Sequence, residues 1–303
     1  MKYFIVLTLA ILFANTSHAK TGAKLNVVAT TTDIGAIVRA VGGDHINLSV
    51  IAKGSQDPHY IEAKPSYMVK LRDADLLVSN GLSLEIGWLP ALILGARNPK
   101  VNPGARGNLD LGSFIVPIEK PTGTLTRAMG DVHPDGNPHF TLDPIRDGDL
   151  SLKVAERLSD MDPANKAAYT QAANTYRDDL IKRTADWQKR LVATGIKEVV
   201  TYHPSLDYFV DRFQLQVPIN LEAKPGVPPT TQHILDVIEM VKHDKIKIIL
   251  VDNFFDTKIA DRVAKDAPGV RVESIGNAVD SAPGLNSTAD VIEALVKAFE
   301  KGK

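Results

Sequence analysis

The feature that most constrains the fold is a run of strong helix formers in the middle of the chain, NKAAYTQAANTYRDDLIKRTADWQKRLVAT, with no internal glycine or proline before Gly195. At ~1.5 Å per residue a helix of about thirty residues spans ~45 Å, the length of a whole domain. A linking helix over 164–195 is therefore expected to act as a rigid strut between one lobe before it and another after it.

Both flanks alternate strand and helix patterns. Before the strut, LNVVA reads as a strand and is followed by a helix with apolar Ile34, Ile37, Val38 and Val41. INLSVIA is a second strand, PSYMVKLRDA a helix with Pro65 in its first turn, and DLLVSNG a third strand. A helix over 85–96, a short strand region over 107–115 and an amphipathic helix over 147–159 complete this half. After the strut come the strand KEVVTYH, the helix SLDYFVDRFQ, a strand over 217–221 and a helix capped by Thr230 or Thr231. KIKIILVDN, DTKIADRVAKDA, VRVESIG and a terminal helix from Ser287 to Lys301 follow. Both halves thus read as α/β with mostly parallel sheets.

The chain opens with Lys2, an apolar run from Tyr3 to Ala14 and a small-residue pattern ending at Ala19, which is the pattern of a signal peptide over 1–19. That run is shorter than the ~20 residues of a membrane span, and no later segment is long and apolar enough for one. There is no cysteine, so disulfides, thiolate metal sites and a lipidated cysteine are excluded. Export without these suggests a bacterial periplasm. With 35 basic and 36 acidic residues the chain carries no electrostatic footprint for nucleic acid. Roughly 280 mature residues favour two domains, an N-terminal lobe over 20–163 and a C-terminal lobe over 196–303.

His59 in DPHYIEAKPS, His139 in GNPHFTLDP and His203 in TYHPSLDYF each stand beside a proline. Their side chains are expected to project from fixed turns at element ends, and three imidazoles with a carboxylate make a four-coordinate zinc site. His59, His203 and Asp252 fall at or beyond the carboxyl ends of strands, where α/β sheets bind ligands. His18, His45, His233 and His243 stand in contexts that read as uninvolved, and His133 in GDVHPDGNPH reads as exposed and idle, with an auxiliary ligand or capture residue as the alternative. Residues 117–138, rich in Pro, Gly and Thr, form a loop long enough to be functional or mobile.

With DPHYIEAKPS, GNPHFTLDP and YHPSLDYF at these spacings, a signal peptide and a long central helix, the chain resembles the periplasmic solute-binding subunits of zinc and manganese ABC importers. The resemblance covers essentially the whole mature sequence. It implies two pseudo-symmetric lobes joined by one rigid helix, with a single Zn2+ held between them and delivered to a membrane permease. A periplasmic metallochaperone as supplier and a monomeric state accompany that expectation. It places His59 and His139 on the first lobe and His203 on the second. Histidine at the third position, where manganese-type relatives carry a carboxylate, shifts the preference towards zinc. Its fourth ligand is an aspartate in the loop after the last strand; Asp280 is favoured, with Glu273 and Asp252 as alternatives. Glu222 is expected to brace the cleft, and Asp252 and Asp256 to cap the following helix. The same scaffold leaves open a manganese or iron carrier and an adhesin. A zinc hydrolase is the competing class, against which stand the lack of an HExxH helix and of a GxSxG elbow; an enzyme is therefore not expected.

Overall fold

In the first lobe, strands β1 (Leu25–Ala29), β2 (Ile46–Val50), β3 (Leu76–Ser79) and β4 (Asn108–Asp110) pair in parallel in the order β2-β1-β3-β4. The computed structural model describes residues 23–123, 126 and 129–301; the expected signal peptide and His18 lie outside them. β3 is buried along its whole length, as a central parallel strand covered on both faces must be. Alternation sorts its side chains: Leu76 and Val78 join Val27 and Ala29 on one face, while Leu77 joins Val28 on the other. Helices α1 (Thr32–Gly42) and α4 (Pro144–Met161) cover the first face, and α2 (Pro65–Arg72) and α3 (Leu89–Ala96) the second. α3 begins later than the pattern predicts because Pro90 belongs in a first helical turn.

The second lobe holds β5 (Val200–Thr201), β6 (Ile248–Asp252) and β7 (Arg271–Ile275), also parallel and in that order. Ile248 and Leu250 pack towards α9 (Thr288–Glu300), and Ile249 and Val251 towards α7 (Thr231–His243) and α8 (Lys258–Asp266). α7 is capped by Thr230, whose hydroxyl accepts from the His233 N–H. The expected strand over 217–221 is not formed; Gln216 and Asn220 make only isolated bridges to Glu198 and Thr201. Pro218 lies between them without an N–H to give to a ladder.

The strut is α5 (Lys166–Thr194), 29 residues ending on Gly195 in the left-handed conformation at φ 71°. Its first half places Tyr169 and Ala173 in the core of the first lobe, and its second half places Leu180, Trp187 and Leu191 in that of the second. One helix thus serves two cores. Among the described residues no helix is long and apolar enough to cross a membrane.

Candidate metal centre

Two of the three histidines stand on the same local device. In Asp57-Pro58-His59 the Asp57 carboxylate accepts from the backbone N–H of His59 (3.0 Å), and in Asn137-Pro138-His139 the Asn137 side-chain oxygen accepts from that of His139 (2.9 Å). These are turns in which a short polar side chain bonds the backbone two residues on, stiffened by the fixed φ of the intervening proline. His203 is extended, at φ −122° and ψ 156°, as the residue before a proline must be, and Pro204 then starts a short 3-10 turn leading into α6 (Asp207–Arg212).

These turns bring His59, His139 and His203 together, with one ring nitrogen from each within 4.8 Å of the others. Ring centroids are 5.3 to 5.5 Å apart across the trio. Carboxylates set two of the tautomers. His59 Nδ1 donates to Asp57 (2.7 Å) and His203 Nδ1 to Glu222 (2.9 Å), and since an ionised carboxylate only accepts, the neutral form of each ring has its lone pair on Nε2. His139 Nε2 is buried with no hydrogen-bond partner. Burial, reinforced by His59, His203 and His133, holds the pKa of His139 well below the ordinary histidine value. The ring stays neutral and ready to coordinate. Burial would raise Asp57, but its bond to His59 and the charge of that ring outweigh this and lower it.

Asp280 is not brought to this cluster. It lies exposed on a turn at φ 59°, its backbone N–H donating to Leu285 (2.7 Å), and the preceding N–H of Val279 is held by Asp33 (2.8 Å). Glu273 is engaged by Lys301 (2.6 Å) and faces Arg271. Asp252, at the end of β6, accepts from Ser205 (2.9 Å) and Asn277 (2.7 Å) and so fixes the turn that carries His203. Burial raises its pKa to about 6, against the opposing pull of His203 and Ser205. Asp256 bonds the backbone and side chain of Lys258 at the start of α8.

His133 departs from the expectation of an exposed, idle residue. It is half-buried, with Nε2 3.1 Å from His59 Nε2, and burial followed by the charges of His59 and His203 lowers its pKa to about 4. Nothing local in GDVHPDGNPH signals this, since the contact spans 74 residues. Asp57 is also a residue that reading by motif passes over; its signal is the DPH triplet itself.

The chain is 29% identical over 257 residues to the metal ABC transporter substrate-binding lipoprotein ScbA of Streptococcus cristatus, covering 82% of this chain and 79% of that one. It is 26% identical to the manganese ABC transporter substrate-binding lipoprotein PsaA of Streptococcus mitis, covering 87% and 84% respectively. Its fold matches the crystal structure of ZnuA with a TM-score of 0.75 at 22% identity, over 91% of this chain and 99% of the other. The laminin-binding protein Lmb of Streptococcus agalactiae, described as both adhesin and metal transporter, matches with a TM-score of 0.70 at 23% identity, over 91% and 99%. Such proteins serve an ABC transporter's membrane components and are not enzymes. The model of the zinc-uptake complex component A periplasmic family, ZnuA, matches residues 27–302, and the chain belongs to this family of metal ABC transporter substrate-binding proteins.

Proposed function

We propose that this chain is a periplasmic, high-affinity zinc carrier that takes Zn2+ on His59, His139 and His203 and hands it to the permease of an ABC importer. The observation that carries the reading is His139 Nε2, a buried ring nitrogen with no hydrogen-bond partner, set among two imidazoles whose second nitrogens are already held by carboxylates. Leaving such an atom unsatisfied is costly, and a metal ion resolves it. Three neutral nitrogens suit zinc better than the harder manganese ion.

The fourth coordination place belongs in this reading to Asp280, reached through a rearrangement of its turn, or to water. The carrier works as a monomer, and a periplasmic metallochaperone is a source of its ion. Manganese is the second reading, because relatives such as the PsaA protein carry that metal in their names. Metal-buffered competition with purified protein separates the two. The expected result is one zinc per chain, displaced poorly by manganese; a preference for manganese over zinc overturns the assignment.

A further inference from the structure

Residues 129–137 cross from the first lobe to the second over the three histidines. On the second-lobe side the Asp131 N–H donates to Pro225 O (2.8 Å), and Asn137 Nδ2 donates to Pro204 O (2.8 Å). On the first-lobe side the Tyr60 hydroxyl donates to the Asp131 carboxylate, and Ser83 Oγ donates to Asp135 (2.8 Å). Asp131 therefore ties two segments that carry the site. Tyr60 follows His59 directly, and the Gly226 N–H donates to Glu222 (3.0 Å), the carboxylate that orients His203.

The seat is built closely around Asp131. Gly226 has φ 72°, and a Cβ there would come within 2.1 Å of Asp131 Oδ2 and 3.4 Å of the Tyr60 hydroxyl. Gly130, at φ 78°, lies so near Pro225 that a Cβ would meet its carbonyl oxygen at 2.2 Å. Inside the crossing, His133 faces His59. Because His59 Nδ1 gives its proton to Asp57, its Nε2 is the acceptor, and the Nε2–H of His133 occupies the lone pair that a metal needs. A metal ion reaches His59 only when this contact opens.

We infer that residues 129–137 form a strap latched across the mouth of the metal cleft, with Asp131 as the positioning residue that sets how fast metal enters and leaves. The inference rests on the three histidines being the metal site. The Asp131 latch must open for passage in either direction and re-forms over the bound ion once His133 has left His59, so it slows both rates and alters the equilibrium little.

The experiment is stopped-flow kinetics of zinc binding, and of release to a chelator, on full-length variants, with backbone hydrogen exchange measured on the metal-free protein. Asp131→Ala and Gly226→Ala are expected to speed both association and release by about fivefold or more, with the dissociation constant moving less than about threefold. Tyr60→Phe added to Asp131→Ala should change nothing further, since the two side chains act as one contact. Asp131→Asn, which keeps an acceptor for the Tyr60 hydroxyl, should restore most of the parental behaviour and guard against a folding artefact. In the exchange experiment, residues 129–137 should lose protection in Asp131→Ala while α5 keeps its own. Parental rates in both directions, or faster release with unchanged association, would overturn the strap. If the parental protein binds no zinc, the metal reading fails, and the exchange data alone decide whether Asp131 holds the crossing.

Discussion

At the scale of single residues, the proposed site is three imidazoles: Asp57 and Glu222 orient those of His59 and His203, and burial lowers the pKa of His139. Replacing His59, His139 or His203 by alanine removes a donor outright, whereas Asp57→Ala or Glu222→Ala leaves the donor and frees its orientation. Loss of such orienting carboxylates costs roughly 10–100-fold in metal affinity. The ligand variants are expected to lose more than about 100-fold and the orienting variants to fall within the 10–100-fold range. Asp280→Ala, on its exposed turn, should lose less than about tenfold by the same scale. Isothermal calorimetry with a competing chelator ranks the series, and an Asp280 variant as damaged as the histidine variants would make that carboxylate an obligatory ligand. The pH dependence follows from the lowered pKa of His139. Protons compete with metal only below the ordinary histidine value of ~6.5, so zinc should stay bound at neutral pH and be released in more acidic buffer. Release already half complete at pH 7 would contradict a buried His139 with a lowered pKa.

At the scale of elements, much of this molecule was legible because the signals are local. The helix-forming run became α5 to within two residues at either end of the expected span, and the DPH and NPH triplets became matching turns because aspartate, asparagine and proline act on their own backbone. What escaped depends on partners far away in the chain. The turn carrying Asp280 is held by a bond from Val279 to Asp33 spanning 246 residues, and His133 meets His59 across 74. The missing strand over 217–221 was foreseeable from Pro218, which apolar neighbours obscured. α5 also yields a prediction of its own. Trp187 is 1% exposed, and its indole N–H donates to Glu293 (2.9 Å) on α9, where Arg190 also pairs with Glu293 and Glu300. Trp187→Ala should destabilise the protein by about 3–5 kcal/mol and loosen α9, seen as a lowered denaturant midpoint, while zinc affinity in native buffer stays parental. Loss of affinity in step with stability would mean that the strut's second half shapes the metal site directly.

At the scale of the whole molecule, the lobes are stitched together by bonds that resist hinge motion. Arg212 makes a paired contact with the fully buried Asp143 (2.8 and 2.7 Å), the Tyr208 hydroxyl donates to Asn137 O (2.8 Å), and Val279 reaches Asp33. Tyr176 on the strut donates its hydroxyl proton to Asp147 on α4, and the same oxygen is in hydrogen-bond contact with the Thr288 hydroxyl at the start of α9 (3.0 Å). Opening the lobes widely would expose this set of buried polar groups and break the continuity of a helix shared by two cores, so any movement on the proposed metal binding is expected in the strap and the cleft turns. Small-angle scattering of metal-free and zinc-loaded protein should give nearly superimposable profiles, and a marked compaction on binding would show a hinge that these contacts do not permit. The same junction carries a pH signature. Burial raises the pKa values of Asp33 and Asp147 to about 7, from an ordinary 3.8. Between those values the folded state holds protons that the unfolded chain releases, so their stabilising contribution is complete below pH 3.8 and is lost as pH rises through 7. Between those two values each group's contribution falls by about 1.4 kcal/mol per pH unit, and above pH 7, where both states are ionised, it levels off. Asp147→Asn, a fixed neutral replacement, should therefore flatten the decline in unfolding free energy between about pH 4 and 7 and leave the variant more stable than the parent above pH 7. An unchanged slope in urea titrations across that range would mean that Asp147 is already ionised in the fold, balanced by its hydrogen bonds to Tyr176 and Thr288.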